Sequence, residues 1–321
     1  MPLPSTRIDR APLFEALDPA EQVLIAGAGG GFDVFCGLPL YFALEEQGKR
    51  VHLANLSFSN LAEASGTRLS PTLLEVTADS TGPTDYFPEK HLCTWFRAEG
   101  HEVSVYAFKK SGVVPLREAY ARLVDHLRID TVLLVDGGTD SLMKGDEAGL
   151  GTPAEDMASL AAVHSLDLPR KFLACLGFGV DAFHGVSHFD VLEAVAELTR
   201  LGASLGSFAL LPGMPPVRRY VDAIEYVHRI APARPSIVNA SVVSAIEGQY
   251  GDHHRTERTR GSELWINPLM AQYFAFGLSA VAERVLYLDQ IAHTRSAFEV
   301  EAIIEAFRHT CDIRPRRTIP V

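Results

Sequence analysis

The stretch LLVDGGTDSLMKGDEAGLGTP, residues 133–153, runs from an apolar segment straight into two glycines and a cluster of carboxylates. Asp136 and Asp140 stand four apart, with Gly137, Gly138, Thr139 and Ser141 around them, and Lys144, Asp146 and Glu147 follow. A single carboxylate at such a corner is a helix cap. Several together repel one another unless water, a cation or a base screens them. Asp, Glu and Thr are hard oxygen ligands that suit Mg²⁺ or Ca²⁺, and they also hydrogen-bond the vicinal hydroxyls of a sugar. Asp136 and Asp140 are therefore candidate catalytic residues and metal ligands, and Gly137, Gly138, Thr139 and Ser141 are candidate ligand-binding residues.

Three other stretches carry residue types with chemistry. AGAGGGFDVF, residues 26–35, places Gly29, Gly30 and Gly31 between an apolar run and a helical pattern, where glycines let backbone N–H groups approach an anion. Asp33 either caps the following helix or faces the same ligand. GFGVDAFHGVSHFD, residues 177–190, brings Asp181, His184 and His188 to a similar position, and His184 is the candidate general acid or base because imidazole titrates near neutral pH. His184 and His188 would share a helical face as zinc ligands do, but Gly185 interrupts a regular helix. YGDHHRTERTRGSELWINPLM, residues 250–270, concentrates basic side chains, of which Arg258 and Arg260 are candidate clamps for a phosphate or carboxylate. A nicotinamide cofactor is not expected. Counting from Gly27, the third glycine of G-x-G-x-x-G falls on Phe32, and the second apolar run ends in Ala54 and Asn55 with no acidic residue for a ribose.

The elements that must position these residues are legible as alternation. QVLIAG (22–27), RVHLANL (50–56), HEVSVYAF (101–108), DTVLLVD (130–136), KFLACLG (171–177) and SLGSFALL (204–211) are short runs apolar on both faces, as buried parallel strands are. Residues 34–48, 114–129, 155–166 and 189–202 between them repeat apolar positions at three and four. The pattern predicts an α/β fold, a doubly wound and mostly parallel Rossmann-like sheet, whose ligands gather at the strand carboxyl ends. Residues 1–20 read as an extension, 21–213 as the core, and 214–321 as a mainly helical section packed on it, including 270–291 as helix. The connection 57–96 has no sustained period until about Glu89. It reads as a lid or binding loop, or else as a small helical or hairpin excursion.

Composition narrows the partners. A chain of 321 residues with net charge −11 is built neither to neutralise nucleic-acid phosphates nor to sit on anionic lipid, so a small-molecule ligand is expected, with self-association into a homo-oligomer left open. No stretch approaches the roughly 18 uninterrupted apolar residues of a membrane span, and the N-terminus lacks a secretory apolar run. Cys36, Cys93, Cys175 and Cys311 lie far apart and form no C-x-x-C pair, which suggests a reducing, cytoplasmic setting.

Two family patterns resemble parts of this chain. DGGTDS (136–141) resembles the S-G-G-x-D-S loop of the ATP pyrophosphatase (PP-loop) enzymes: Gly137, Gly138, Asp140 and Ser141 match, while Asp136 stands where a serine would hold phosphate. The same cluster is geometrically similar to the Asp-rich strand end of nucleoside hydrolases, in which calcium and a ribose share the carboxylates. Over roughly residues 20–310, GAGGGFDV, VDGGTDSLMKGDE with LGTPAEDMAS, GFGVDAFHGVSH and ELWINPLMAQYFAF together resemble a prokaryotic family defined as a domain of unknown function, number 1152. That resemblance implies one shared architecture for these loops, and a family that is not a standard dehydrogenase.

The expectation is an enzyme, a hydrolase or group transferase acting on a nucleotide, nucleoside or phosphorylated sugar with the help of a divalent cation. A non-catalytic nucleotide or metabolite sensor is the alternative from another class. An ATP-dependent ligase of the PP-loop kind is a third reading.

Overall fold

Alternate residues of the central strands are buried on opposite faces of one sheet, which is why their sequences are apolar throughout. Leu24 and Ala26 pack on one side and Val23 and Ile25 on the other. The structure, a computed structural model, describes residues 8–262 and 264–319. In chain order the strands are β1 (Gln22–Gly27), β2 (Arg50–Ser57), β3 (Thr67–Ser70), β4 (Leu73–Val76), β5 (Val105–Lys109), β6 (Thr131–Gly137), β7 (Arg170–Leu176), β8 (Ser204–Ala209), β9 (Gly251–Asp252), β10 (Trp265–Ile266) and β11 (Gln272–Gly277). The helices are α1 (Pro12–Leu17), α2 (Asp33–Cys36), α3 (Leu38–Glu46), α4 (Pro88–Ala98), α5 (Val113–Leu127), α6 (Pro153–His164), α7 (His188–Arg200), α8 (Pro215–Ile230), α9 (Ile237–Ile246), α10 (Leu278–Arg284), α11 (Leu288–Ile291) and α12 (Ala297–Thr310).

Nine strands form the main sheet in the order β3-β4-β5-β2-β1-β6-β7-β11-β8. The central five, β5-β2-β1-β6-β7, are all parallel. After β1 the chain builds outward through β2 and β5, then returns to lay β6 on the other side of β1. That reversal opens a crevice at the carboxyl ends of β1 and β6, the place where doubly wound sheets bind ligands. Helices α5, α6, α7, α10, α11 and α12 contribute to the core on one face, and α1, α2, α3, α4, α8 and α9 to the other. The fold is α/β and Rossmann-like.

The structure revises or decides three parts of the sequence reading. Residues 270–291 are not one helix: QYFAFG forms β11, inserted antiparallel between β7 and β8, before α10 begins. The sheet is therefore continuous across the boundary expected at 213, and the C-terminal section completes the core. The connection 57–96 holds the antiparallel hairpin β3-β4, which extends the sheet beyond β5, and then the start of α4. Of the expected N-terminal extension, residues 1–7 lie outside the described residues, while α1 belongs to the core: Leu13 and Leu17 are buried and Phe14 meets Phe208 of β8 at 5.4 Å. Among the described residues no helix is long and apolar enough to cross a membrane.

Candidate functional site

The parallel register aligns Gly27 of β1 with Val135 of β6, and the Ala28 N–H donates to the Val135 carbonyl at 2.8 Å, one step past the strand. The glycine turn and Asp136 are thereby held side by side. Ser159, in the second turn of α6, donates to the Ala28 carbonyl at 2.7 Å, so the N-terminal half of α6 is pinned over the same place. Asp156, three residues earlier on α6 and hence on the same helical face, projects toward Gly29. A methyl group on Gly29 would lie 2.8 Å from Asp156 Oδ1 and 3.0 Å from Asp33 Oδ2. The turn can pass between those carboxylates only without a side chain.

Asp33, Asp136 and Asp156 each offer a carboxylate oxygen within 4.8 Å of the others, the one such group of His, Cys, Asp or Glu found among the described residues. Asp136 and Asp156 are buried, and Asp33 retains some contact with solvent. Asp33 Oδ2 accepts the Gly29 N–H at 2.7 Å, and the Gly30 and Gly137 N–H groups also face its carboxylate. Asp136 Oδ2 accepts both the hydroxyl and the N–H of Ser141. Asp156 Oδ1 has no hydrogen-bond partner among the described residues although the side chain is 1% exposed. Asp140 and Asp181 complete a ring of five: Asp140 Oδ2 accepts from the N–H and hydroxyl of Thr152 at 2.7 and 3.0 Å, and Asp181 Oδ2 accepts the Thr139 N–H at 2.7 Å.

Electrostatically this is an expensive arrangement. Burial, and then the neighbouring carboxylates, push Asp136, Asp156 and Asp181 well above the usual carboxyl range. Burial is also the main reason that Asp33 is pushed up to about 7. Two unit charges near this separation repel by roughly 3 kcal/mol at an effective dielectric constant of about 20. Three such pairs come to roughly 10 kcal/mol, comparable with the whole stability of a domain. Among the described residues, no Lys or Arg forms an ion pair with any of the five. The cluster must therefore hold protons or a cation.

The sequence-predicted residues are brought together unevenly. Asp33 and Asp136 stand in the triad, with Asp140 beside them, its Oδ2 engaged by Thr152. Gly29, Gly30 and Gly31 do form the turn, with positive φ at Gly30 and Gly31. Their N–H groups are not free to cradle an external anion: Gly29 and Gly30 face Asp33, and Gly31 donates to the Leu56 carbonyl at 3.1 Å. The reason is local, since Asp33 at the start of α2 closes the turn with its own carboxylate. Gly137 and Gly138 clear space, because a side chain on the first would strike Asp33 and on the second Asp181. The Thr139 hydroxyl is fully buried and has no hydrogen-bond partner among the described residues.

His184 is exposed at the end of a 3₁₀ turn, Val180–His184, close enough to Asp140 to favour its charged form. His188 opens α7 behind the Ser187 cap, and Gly185, at φ 89°, separates the two histidines. Arg258 and Arg260 are not gathered with the carboxylates. Arg258 donates to the Pro235 carbonyl at 2.8 Å, and Arg260 pairs with Glu257 at 3.1 Å on the surface. Asp156 and Glu89 went unrecognised in the sequence. An acidic residue in the first turn of a helix is already explained by the helix dipole, so Asp156 raised no signal of its own. Glu89, in the first turn of α4, is fully buried, accepts from Asn55 at 2.8 Å and is pushed up by burial.

A comparison with curated proteins finds no match for this chain. Residues 56–314, which run from the end of β2 to the tail beyond α12 and carry four of the five aspartates, match the family model described as "Protein of unknown function (DUF1152)", and the chain belongs to that family.

Proposed function

We propose that the chain is an enzyme in which Asp33, Asp136 and Asp156 hold a divalent cation, Mg²⁺ or Ca²⁺, and which hydrolyses or transfers a group on a nucleotide, nucleoside or phosphorylated sugar. The single observation that carries this reading is the buried Asp156 Oδ1, which has no hydrogen-bond partner among the described residues and faces two further carboxylates. A buried polar atom without a partner is costly, and a hard cation relieves it together with the mutual repulsion of the triad. A cation there would lower the pKa of a bound water and neutralise an approaching phosphate or alkoxide.

The chain's own groups would do the rest. The Ser141 hydroxyl and N–H orient Asp136, and the Gly29 N–H orients Asp33, so two ligands are fixed before any cation arrives. The Thr152 pair holds Asp140 beside the triad, where it could accept a proton from an attacking water. His184, exposed at the rim and favouring the charged form of Asp140, is positioned to protonate a leaving group. We place this activity in the cytoplasm.

The test is titration of EDTA-treated protein with Mn²⁺, a paramagnetic stand-in for Mg²⁺, followed by electron paramagnetic resonance. Wild type should bind one ion per chain and Asp156→Asn should bind at least about tenfold more weakly. A wild type that binds none overturns the reading. Turnover of a panel of nucleotides, nucleosides and sugar phosphates with Mg²⁺ then separates an enzyme from a sensor that only binds.

A further inference from the structure

We propose that the cleft at the carboxyl ends of β2 and β5 is the subsite for an anionic group, phosphate or carboxylate, carried by the substrate of the acidic centre. The inference rests on the metal-assisted reading above and specifies the substrate it would take. The cleft holds about 390 Å³ and is lined by residues 57–62 together with Lys109 and Lys110. That is enough for a phosphorylated fragment of a metabolite.

Its position ties it to the centre through contacts. Ser57 and Lys109 are register partners on adjacent parallel strands, so the cleft begins where those strands end. Phe58, half exposed, lays its ring against the glycine turn: a methyl group on Gly30 would lie 2.8 Å from it. Lys110 sits 6.0 Å from the centre of the Phe58 ring and 2.5 Å from Glu155, the neighbour of Asp156. Cleft, Phe58, glycine turn and carboxylates are therefore consecutive.

Charge decides what the cleft would take. Five aspartates at one sheet edge in a chain of net charge −11 disfavour an anion, so an anionic group needs positive charge set beside them. Lys110 is committed to Glu155 and, at 3.4 Å, to Glu301. Lys109 makes no ion pair among the described residues, and it is an exposed residue that lines the cleft. Another large cleft near the centre, about 450 Å³ between residues 150–155 and α12, is lined by Glu155, Glu301 and Glu305 against a single Arg308. Its carboxylates disfavour an anion.

The experiment is calorimetric titration of the EDTA-treated full chain with inorganic phosphate and, separately, with malonate. Saturable binding is expected in wild type, retained in Lys109→Arg, and weakened about tenfold in Lys109→Ala. Tighter binding of phosphate than of malonate would assign the group as a phosphate, and the reverse order as a carboxylate. Binding of both anions weaker than roughly 10 mM, or affinity unchanged in Lys109→Ala, overturns the subsite. Mn²⁺ titration of the same proteins keeps the two ideas apart. Lys109-dependent anion binding without Mn²⁺ binding removes the metal centre alone, and Mn²⁺ binding with Lys109-independent anion binding removes the subsite alone.

Discussion

Asp181 Oδ2 accepts the Thr139 N–H at 2.7 Å, which ties the loop after β7 to the turn after β6. The bond needs an acceptor but not a charge, and burial together with neighbouring carboxylates disfavours the charge. Asp181→Asn keeps an acceptor and removes a like charge, so its unfolding free energy should equal or exceed that of wild type. Asp181→Ala leaves a buried N–H unpaired and should lose about 1–3 kcal/mol. Urea unfolding of both variants checks the pair, and equal losses would remove the argument.

Gly29→Ala should fold and yet bind a divalent cation poorly. Its methyl group meets Asp156 Oδ1 at 2.8 Å and Asp33 Oδ2 at 3.0 Å, so both carboxylates must turn aside. Displacing ligands in this way lowers metal affinity by about 10–100-fold. The Mn²⁺ titration described above measures it, and wild-type affinity would mean that those oxygens are not ligands.

Stability should fall as pH rises through the range in which Glu89 ionises. Burial raises its folded pKa above the ordinary 4.5, so between those values the folded state binds more protons than the unfolded one. Its contribution is fully present below pH 4.5 and is lost as pH climbs through the raised value. Glu89→Gln removes the titration, and the slope of melting temperature against pH should flatten above pH 4.5. An unchanged slope would put the proton elsewhere.

Glu147→Ala should be strongly destabilising. The carboxylate is 2% exposed, accepts the Gly145 N–H at 2.8 Å and the Lys144 N–H at 3.1 Å, and pairs with Arg314 at 3.2 Å. Removing it leaves two N–H groups unpaired and one partner fewer for a guanidinium that also binds Asp146 and Glu193. A loss of about 3 kcal/mol is expected in urea unfolding. A loss under about 1 kcal/mol would show that Asp146 and Glu193 carry Arg314 alone.

Most of the parallel core was legible because a strand buried on both faces has nothing but apolar residues to show. Gln22–Gly27 and Thr131–Gly137 could hardly read otherwise. β11 was hidden by its successor: QYFAFG runs into LSAVAERVLYL, and the apolar positions join at helical spacing. The β3-β4 hairpin was hidden by its exposed, polar Thr67 and Arg68 and by an irregular register. In the site, Asp33 and Asp136 stood out because each stands beside glycines at a strand end, Asp33 after Gly29–Gly31 and Asp136 before Gly137 and Gly138. Asp156 lies one helix onset away, and only the β1–β6 register together with the Ser159 bond carries it over Gly29.

β11 also dictates an order of events during synthesis. As the chain leaves the ribosome, β7 and β8 emerge before β11, yet in the finished sheet neither touches the other and each bonds only through it on that side. Until residues 272–277 arrive, β7 presents an unpaired edge and β8 has no strand partner among the described residues. A chain stalled before that point carries an open sheet beside its acidic crevice, and is the form most prone to aggregate or to need a chaperone.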